Sequence, residues 1–327
     1  MSIFRRRDRE TFEAIERREL APGATFAAGS GNRVDLESPD HFRTAFEVDR
    51  DRILFSKAFR RLKHKTQVFM NPEGDHYVTR LTHTLKVTQI GRAISRRLGL
   101  NEALTEAACL GHDVGHSPFG HAGEDALTEF VDGEWLHAEQ STRIFEVLEP
   151  INLTREVLDS IRAHPWKVPI GPLTPEGSIV RFADRIAYLA HDAEDAMRAG
   201  VLEKHDFPQT GINRFGPPGQ AWIGPMVDAV VEESLCTSKI GMDDTSLIVM
   251  NEIRDFMFER VYLRAEMEPP LLRAQKIVRN LVEHFLMHPS ELPDTYLHKD
   301  ADILTQVIDY VAGMTDRFAV RSHDRIQ

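Results

Sequence analysis

The stretch 111–125 concentrates side chains that bind metal ions and transfer protons. It contains three histidines and three acidic residues, namely His112, Asp113, His116, His121, Glu124 and Asp125. Gly115, Pro118 and Gly120 interrupt the stretch, and these residue types bend the backbone. We therefore expect the cluster to line a concave site built from a loop and a helix, rather than one face of a single helix.

Further metal ligands have to come from other parts of the chain, because a divalent ion takes imidazole and carboxylate donors from separate elements. Asp184 is the most informative candidate, since it stands in the apolar segment FADRIA, where an unpaired carboxylate is costly to bury. Taken singly, Asp113 also suits a helix cap, His83 a hydrogen-bonded core position, and Asp184 a pair with a neighbouring arginine. The four candidate ligands taken together are His83, His112, Asp113 and Asp184.

Apolar residues at helical spacing predict the helices that position these ligands. The helix predicted over 79–98 carries His83 near its start and stops at Gly99. Asn101 is expected to cap the next helix, over 102–110, which delivers His112 and its neighbour at its end. These two helices therefore bring two parts of the metal site together.

The remaining pattern predicts an all-α chain. A helix over 178–198 carries Asp184, whereas 165–177 and 207–225 are rich in proline and glycine and are expected to be loops. No β pattern of any length and no internal repeat is visible. Further helices are predicted over 124–130, 139–148, 153–163, 227–233, 245–264, 270–286 and 302–318.

Composition narrows the class of protein. The 327 residues are 42% apolar and 28% charged, which is typical of a soluble globular protein, and no apolar run is long enough to span a membrane. A net charge of −11 argues against a nucleic-acid coat protein but allows a local cationic pocket. The cysteines, Cys109 and Cys236, are expected to be structural thiols in a reducing cytoplasm.

The ligand pattern resembles that of a known superfamily. His83, His112–Asp113 and Asp184 form the H…HD…D pattern of the HD superfamily of metal-dependent phosphohydrolases. From about Asp49 to Ala319, further segments resemble successive signatures of the deoxyguanosine triphosphate triphosphohydrolase-like family. They are DRDRILFSKAFRRLKHKTQVF, TRLTHTLKVTQIGRAI, GHDVGHSPFGHAGE, FADRIAYLAHDAEDAMRAG, IRDFMFERVY and DYVAGMTDRFA.

This resemblance implies an HD-domain helical fold with additional C-terminal helices. It divides the chain into an N-terminal helix and flexible loop at 1–40, an HD core at 41–205 and a helical C-terminal part at 206–327 that completes the substrate pocket. It also implies hydrolysis of a deoxynucleoside triphosphate to the deoxynucleoside and inorganic triphosphate. One divalent ion per site, Mn²⁺, Mg²⁺ or another transition metal such as Fe, Co or Ni, would take part.

The resemblance also implies catalytic roles beside the metal. His121 and Glu124 are three residues apart, on one helix face if a helix begins near Gly120, and match a His-x-x-Glu catalytic pair of the family. We expect His121 to transfer a proton or assist the nucleophile, with Glu124 orienting it. His116 matches a histidine that contacts phosphate, whereas Asp125 matches no catalytic position.

Substrate-binding residues carry over in the same way. Arg80 and Arg254 match phosphate-binding arginines, while Asp192 matches the residue that binds the deoxyribose 3′-hydroxyl, with Gln67 also facing that hydroxyl. Tyr188 and Asp192 follow Asp184 by four and eight residues, so one helix face would present all three side chains. The full set expected to bind substrate is Gln67, Val68, Arg80, His137, Tyr188, Asp192, Arg254 and Tyr262.

Several properties stay open at this point. No base-specificity segment is recognisable, so dGTP alone or several dNTPs are both consistent with the sequence. The family further implies a homo-oligomer and a nucleotide activator, with no role at a membrane and no support for single-stranded nucleic acid as a partner. The alternatives are another HD phosphohydrolase, acting as a nucleotidase, phosphodiesterase or nuclease, and a nucleotide-binding regulator without turnover.

Overall fold

The computed structural model is helical throughout the residues that it describes, which are 4–67, 77–264, 268–297 and 301–327. Within them, β-type pairing is limited to two isolated bridges, Arg33 with Thr154 and Thr66 with Thr79. The prediction of an all-α fold is therefore confirmed. Val68, assigned to the substrate site from the sequence, lies outside the described residues.

The α-helices are numbered in chain order. They are α1 Arg9–Glu19, α2 Ala45–Phe55, α3 Lys57–Arg61, α4 Arg80–Leu98, α5 Glu102–Gly111, α6 His121–Thr128, α7 His137–Arg143, α8 Arg155–Arg162, α9 Pro175–Arg198, α10 Gln209–Phe215, α11 Ile223–Thr237, α12 Asp244–Met257, α13 Glu268–Met287, α14 Ile303–Ala312 and α15 Asp316–Ile326. Short 3-10 or π-helical turns occupy Leu62–His64, Ile144–Leu148, Gln220–Trp222, Phe258–Tyr262, Pro289–Glu291 and Asp294–Tyr296.

Three apolar cores hold these helices together. The first lies between α4, α5 and α9 and extends to α11 and α12. The second packs α2, α3 and α8 against the opposite side of α5, and the third joins α6 to α13, α14 and α15. Because α5 contributes to two cores, the residues at its C-terminal end are fixed from both sides.

The predicted ends of α4 and α5 are confirmed. The Thr79 hydroxyl accepts from the backbone N–H of Thr82, which satisfies a donor of the first turn of α4. Gly99 ends that helix in the left-handed region at φ 67°, where glycine has no steric penalty. The Asn101 side chain then caps α5 by accepting from two of its backbone N–H groups.

Other predicted boundaries are wrong. Helix α9 begins at Pro175 instead of 178, because proline is tolerated at a first helical position whose N–H needs no partner. The segment 207–225, expected to be a loop, contains α10. The single helix expected over 302–318 is two helices, since the chain breaks at Gly313 and Thr315 caps α15.

The segment between α1 and α2, expected to be flexible, makes specific contacts with the rest of the chain. Thr25 donates through its backbone N–H and its hydroxyl to the buried Glu176 carboxylate at 2.9 and 2.8 Å. Arg33 forms a buried ion pair with Asp49. These contacts tie the segment to α2 and α9. Among the described helices, none has the length and apolar character needed to cross a membrane.

Candidate metal centre and active site

Three of the predicted metal ligands converge where α4, α5 and α9 meet. The candidate ligand atoms of His83, His112 and Asp184 all lie within 4.8 Å of one another. Nε2 of His83 is 3.2 Å from Oδ1 of Asp184, and Nε2 of His112 is 3.8 Å from the same oxygen. Each ligand comes from a different helix or helix end, so packing of the first core sets the geometry of the group.

The hydrogen bonds of the two histidines suit metal binding. Nδ1 of His112 lies 2.7 Å from the carbonyl oxygen of Cys109, which makes Nδ1 the donor and leaves a lone pair on Nε2. That Nε2 atom is buried and has no hydrogen-bond partner among the described residues. Nδ1 of His83 is 2.9 Å from Nε2 of His191. A buried imidazole nitrogen without a partner, next to carboxylates, fits a divalent cation.

The charges favour the same conclusion. Burial lowers the pKa of His83, although Asp184 opposes the shift, so the imidazole is neutral at pH 7. Burial alone would raise the pKa of Asp184, but the hydrogen bond with His83 and the nearby His112 and His164 lower it below its usual range. Neutral imidazoles and an ionised carboxylate are the protonation states in which these groups bind metal ions.

Asp113, the fourth predicted ligand, lies between the metal-binding group and a second cluster. Its Oδ2 accepts from Arg80 Nη1 at 2.9 Å and is 3.7 Å from Nε2 of His83. Its Oδ1 is 3.5 Å from Nε2 of His112 and 3.1 Å from Nε2 of His116. One carboxylate therefore reaches both histidine ligands while holding an arginine and a further histidine in place.

The second cluster consists of stacked histidines around a buried carboxylate. The rings of His116 and His137 stack with centroids 3.8 Å apart. Oε1 of Glu124 lies 2.5 Å from Nδ1 of His116 and 3.0 Å from Nδ1 of His137. Burial alone would raise the pKa of Glu124, but the two histidines hold it well below its usual range. Asp113 and the stacked pair form another group with ligand atoms within 4.8 Å.

The sequence predicts that Glu124 orients His121, but in the structure the Glu124 carboxylate contacts His116 and His137 instead. Glu124 and His121 both lie on the first turn of α6, but Glu124 is buried against the stacked histidines whereas His121 is exposed. The His121 ring lies edge-on to His116, with centroids 5.7 Å apart. Desolvation by the surrounding protein lowers the pKa of His121, with Glu124 opposing the shift. His121 is therefore a neutral proton acceptor at pH 7 in the ligand-free protein.

Arg80 and Gln67 supply unsatisfied polar atoms beside this site. Arg80 is buried, and its Nε and Nη2 have no hydrogen-bond partner among the described residues. Oε1 of Gln67 is buried and equally unpaired there. A Cβ atom on Gly120 would lie 2.8 Å from Nη2 of Arg80, so the absent side chain leaves room for the guanidinium. The unpaired donors of Arg80 indicate an anionic ligand, whereas Oε1 of Gln67 is an acceptor and suits a hydroxyl or N–H group.

Two further arginines, Arg185 on α9 and Arg254 on α12, are candidates for binding an anion. Arg185, which follows Asp184 in the chain, is buried over the Trp166 ring at 4.0 Å, and its Nε has no hydrogen-bond partner among the described residues. Burial lowers the pKa of Arg185, and Arg254 contributes to the shift. Arg254 is partly exposed and pairs with Asp255 at 2.6 Å. Both arginines therefore contribute positive charge on the side of α9 and α12.

The face of α9 that carries Asp184 continues with Tyr188 and Asp192. The Tyr262 hydroxyl donates to Oδ2 of Asp192 at 2.6 Å. Burial and the nearby Asp192 raise the pKa of Tyr262 well above its usual value, and burial raises the pKa of Tyr188 to about 12. Neutral aromatic rings and one carboxylate therefore line this side. His191, which the sequence analysis did not single out, links it to His83, since Nδ1 of His191 is 2.7 Å from Oδ1 of Asp192.

Buried neutral histidines predict a loss of stability in acid. Burial lowers the pKa of His137 to about 4 and that of His164 to about 3, compared with about 6.5 in an unfolded chain. Below pH 6.5 the unfolded chain takes up protons that the folded protein does not, so stability falls as the pH drops towards 4. We expect His164→Asn, whose amide replaces Nδ1 as donor to Ile161, to weaken this dependence.

The measurement is the unfolding temperature of metal-free protein between pH 7.5 and 4.5. His205→Asn is the matched control, because the side chain of His205 is 77% exposed. Equal pH slopes for wild type and His164→Asn would contradict the prediction.

Comparison with known proteins identifies the class. Residues 80–189 match the HD domain, and residues 240–325 match the phosphohydrolase-associated domain. The first match contains His83, His112, Asp113 and Asp184. The second covers α12 to α15 and most of the third core. Together they make the chain an HD-domain phosphohydrolase with an associated helical region.

Full-length relatives narrow this class to one family. The chain is 42% identical to a deoxyguanosinetriphosphate triphosphohydrolase-like protein of Caldanaerobacter subterraneus subsp. tengcongensis, with 97% of this chain and 95% of the relative covered. It is 41% identical to a protein of the same name from Clostridium perfringens, with 97% of both chains covered. The chain belongs to the deoxyguanosinetriphosphate triphosphohydrolase-like family. A solved structure of a hypothetical protein from Aquifex aeolicus is similar to this chain with a TM-score of 0.47 and 21% sequence identity. The matched region covers 84% of this chain and 67% of the Aquifex chain.

Proposed function

We propose that this protein is a metal-dependent dNTP triphosphohydrolase that converts a deoxynucleoside triphosphate to the deoxynucleoside and inorganic triphosphate. The observation that carries the proposal is Arg80, whose Nη1 binds Oδ2 of Asp113 next to His83 and whose buried Nε and Nη2 are unpaired among the described residues. A cation site and an unsatisfied arginine next to each other suit a phosphate group. The names of the relatives support a nucleoside triphosphate as the source of that phosphate.

The residues divide the chemistry among them. A divalent ion held by His83, His112, Asp113 and Asp184 would polarise an α-phosphate oxygen and lower the pKa of a bound water. Water attacks the α-phosphorus, the bond from α-phosphorus to O5′ breaks, and a proton is delivered to O5′. We assign that proton transfer to His121, because its ring is exposed next to His116 and a bound polyanion would make it easier to protonate.

Binding of the substrate is assigned to the two sides of the metal group. We propose that Arg80, Arg254 and Arg185 neutralise the triphosphate, with His116 contacting the reacting phosphate. Tyr188 and Tyr262 would pack on the deoxyribose, and Asp192 and Gln67 would bind its 3′-hydroxyl. His137 stacks on the His116 ring and so fixes the orientation of that ring.

A product-resolved assay in H₂¹⁸O tests the reaction. Purified protein is incubated with each dNTP, singly and mixed, in Mn²⁺ or Mg²⁺, and the products are separated by ion exchange and mass spectrometry. We expect deoxynucleoside and triphosphate, with ¹⁸O in the triphosphate and none in the deoxynucleoside. Release of pyrophosphate or orthophosphate would overturn the reaction. Binding of dNTPs with no product would instead favour a nucleotide-binding regulator.

Substituting Arg80 separates this reaction from that of an HD nucleotidase acting on monophosphates. Arg80→Gln removes charge-assisted hydrogen bonds worth roughly 1.5–3 kcal/mol, so kcat/KM for a dNTP should fall about 10- to 100-fold. Hydrolysis of a deoxynucleoside monophosphate should change much less. Arg96→Gln is the control, since Arg96 lies on the same helix with its side chain 69% exposed. Equal losses on both substrates would count against a triphosphate-binding role.

A further inference from the structure

We propose that Asp316 and Lys65 are positioning residues that hold the segment 116–120 in its active conformation, so that the phosphohydrolase-associated region takes part in the reaction of the HD domain. The inference rests on the proposed function for its catalytic consequence and on hydrogen bonds for its structural basis. Asp316 is the first residue of α15, and Lys65 precedes α4 by fifteen positions. Neither residue was assigned a role from the sequence.

The Asp316 carboxylate joins two separate parts of the backbone. Its Oδ1 accepts from the N–H of Phe119 at 2.9 Å, and its Oδ2 accepts from the N–H of Thr66 at 2.9 Å. Thr315 already provides the helix cap of α15, so the Asp316 side chain is not needed for that purpose. The carboxylate therefore serves the two segments that it bridges, one of which leads directly into α6.

The bridged corner has an unusual backbone conformation. Phe119 has φ 64° and Gly120 has φ 61°, both in the region that L side chains rarely adopt. For phenylalanine this conformation is unfavourable and persists only where surrounding contacts impose it. The hydrogen bond from its N–H to Asp316 is such a contact. The corner sets the start of α6, and so the position of His121, and it packs Gly120 against Arg80.

Lys65 fixes the other end of the segment. The side chain is 2% exposed, and Nζ donates to the carbonyl oxygen of His116 and, at 3.1 Å, to that of Ala312. Ala312 is the last residue of α14. One amino group thus connects the backbone of a site histidine to the associated region, while Asp316 connects the same region to the other end of the segment.

A third set of hydrogen bonds joins the associated region to α7, the helix that begins at His137. Asp309 of α14 is 1% exposed and accepts from Arg143 Nη2 at 2.7 Å and from Gln140 Nε2 at 2.9 Å. The associated region therefore holds both elements that supply the stacked histidines. The group formed by His83, His112 and Asp184 lies on α4, α5 and α9, outside this set of contacts. Disturbing the contacts should affect turnover more than metal binding.

The test compares Asp316→Asn and Asp316→Ala with Asp324→Asn, an exposed aspartate on the same helix. Asparagine keeps one acceptor for the two N–H groups, and alanine keeps none. Hydrogen–deuterium exchange of the amides in 117–121 should accelerate in the order wild type, Asp316→Asn, Asp316→Ala, with Asp324→Asn unchanged. In steady-state assays kcat should fall about tenfold or more, while KM and the Kd for Mn²⁺ stay within about twofold.

Unchanged exchange in both Asp316 variants would overturn the proposal, as would faster exchange with wild-type kcat. Equal losses of Mn²⁺ affinity and kcat would also overturn it, because they would show general disruption of the site. Lys65→Met provides an independent variant that should accelerate exchange of the His116 and Ser117 amides, because Nζ of Lys65 binds the His116 carbonyl oxygen. A wild-type protein that hydrolyses no dNTP would defeat the proposed function alone, since exchange still decides whether the contacts hold the segment.

Discussion

Asp184→Asn is expected to abolish dNTP hydrolysis, with a loss of at least about 10³-fold in kcat/KM, since changes to residues that only support metal ligands already cost roughly 10- to 100-fold. Asp184 presents its Oδ1 to both His83 and His112, so its charge is shared by the whole group. The neutral amide has nearly the same shape but a much weaker oxygen donor. The fold should survive, because α9 is held by the apolar residues of the first core.

Metal binding and turnover have to be measured on the same preparation. Mn²⁺ affinity by titration should fall by about the same factor as activity at limiting metal, and the His112→Ala/Asp113→Ala variant should behave alike. Asp228→Asn is the matched control, because that aspartate is 63% exposed on α11. A variant at Asp184 that keeps both Mn²⁺ affinity and turnover would contradict the assignment of the metal group.

Substituting His121 is expected to have the second largest effect. His121→Ala should lower kcat by about 10²–10⁴-fold, which is the usual contribution of a positioned proton-transfer group, while Mn²⁺ affinity stays within about twofold. The separation follows from the structure, because His121 lies at the start of α6 and the metal ligands lie on other elements. Turnover at saturating dNTP and metal titration are the two measurements.

Glu124→Gln is expected to lower activity for a different reason from His121→Ala. The carboxylate contacts His116 and His137, so its loss should disturb the stacked pair and move the acid limb of the pH–rate profile without removing His121. His64→Ala, an exposed histidine, is the control. Near wild-type kcat in His121→Ala, together with a large loss in His116→Ala, would assign the proton transfer to His116 instead.

Sequence reasoning succeeded where local chemistry determines the outcome. The cap residues Thr79, Gly99 and Asn101 act within a few positions of the helix ends that they define, so the boundaries of α4 and α5 followed from the chain alone. The convergence of His83, His112 and Asp184 into a candidate metal group was also predictable, because a histidine, a His-Asp pair and a distant aspartate match a known pattern. Of the two segments rich in proline and glycine, 165–177 is a loop up to Thr174 as predicted, whereas 207–225 was misjudged, since it contains α10.

Partner choice inside the site was less predictable. Residues three apart on a helix suggested that Glu124 would orient His121, but the fold brings His116 and His137 to Glu124 from a loop and from α7. His164 and His191 show the same limit, because their ring contacts join residues far apart in the chain. Which polar groups meet from distant parts of the chain, such as His83 and His191 at 108 positions apart, depends on helix packing, and that information is absent from local spacing.

The continuous helix α9 has an evolutionary consequence. Asp184, Tyr188 and Asp192 stand on it at intervals of four, so their alignment with the metal group depends on the helical repeat. One inserted or deleted residue between them would rotate the later side chains by about 100° and shift them by about 1.5 Å. We therefore expect this segment to vary among lineages by substitution and not by length, with insertions confined to the loops between helices.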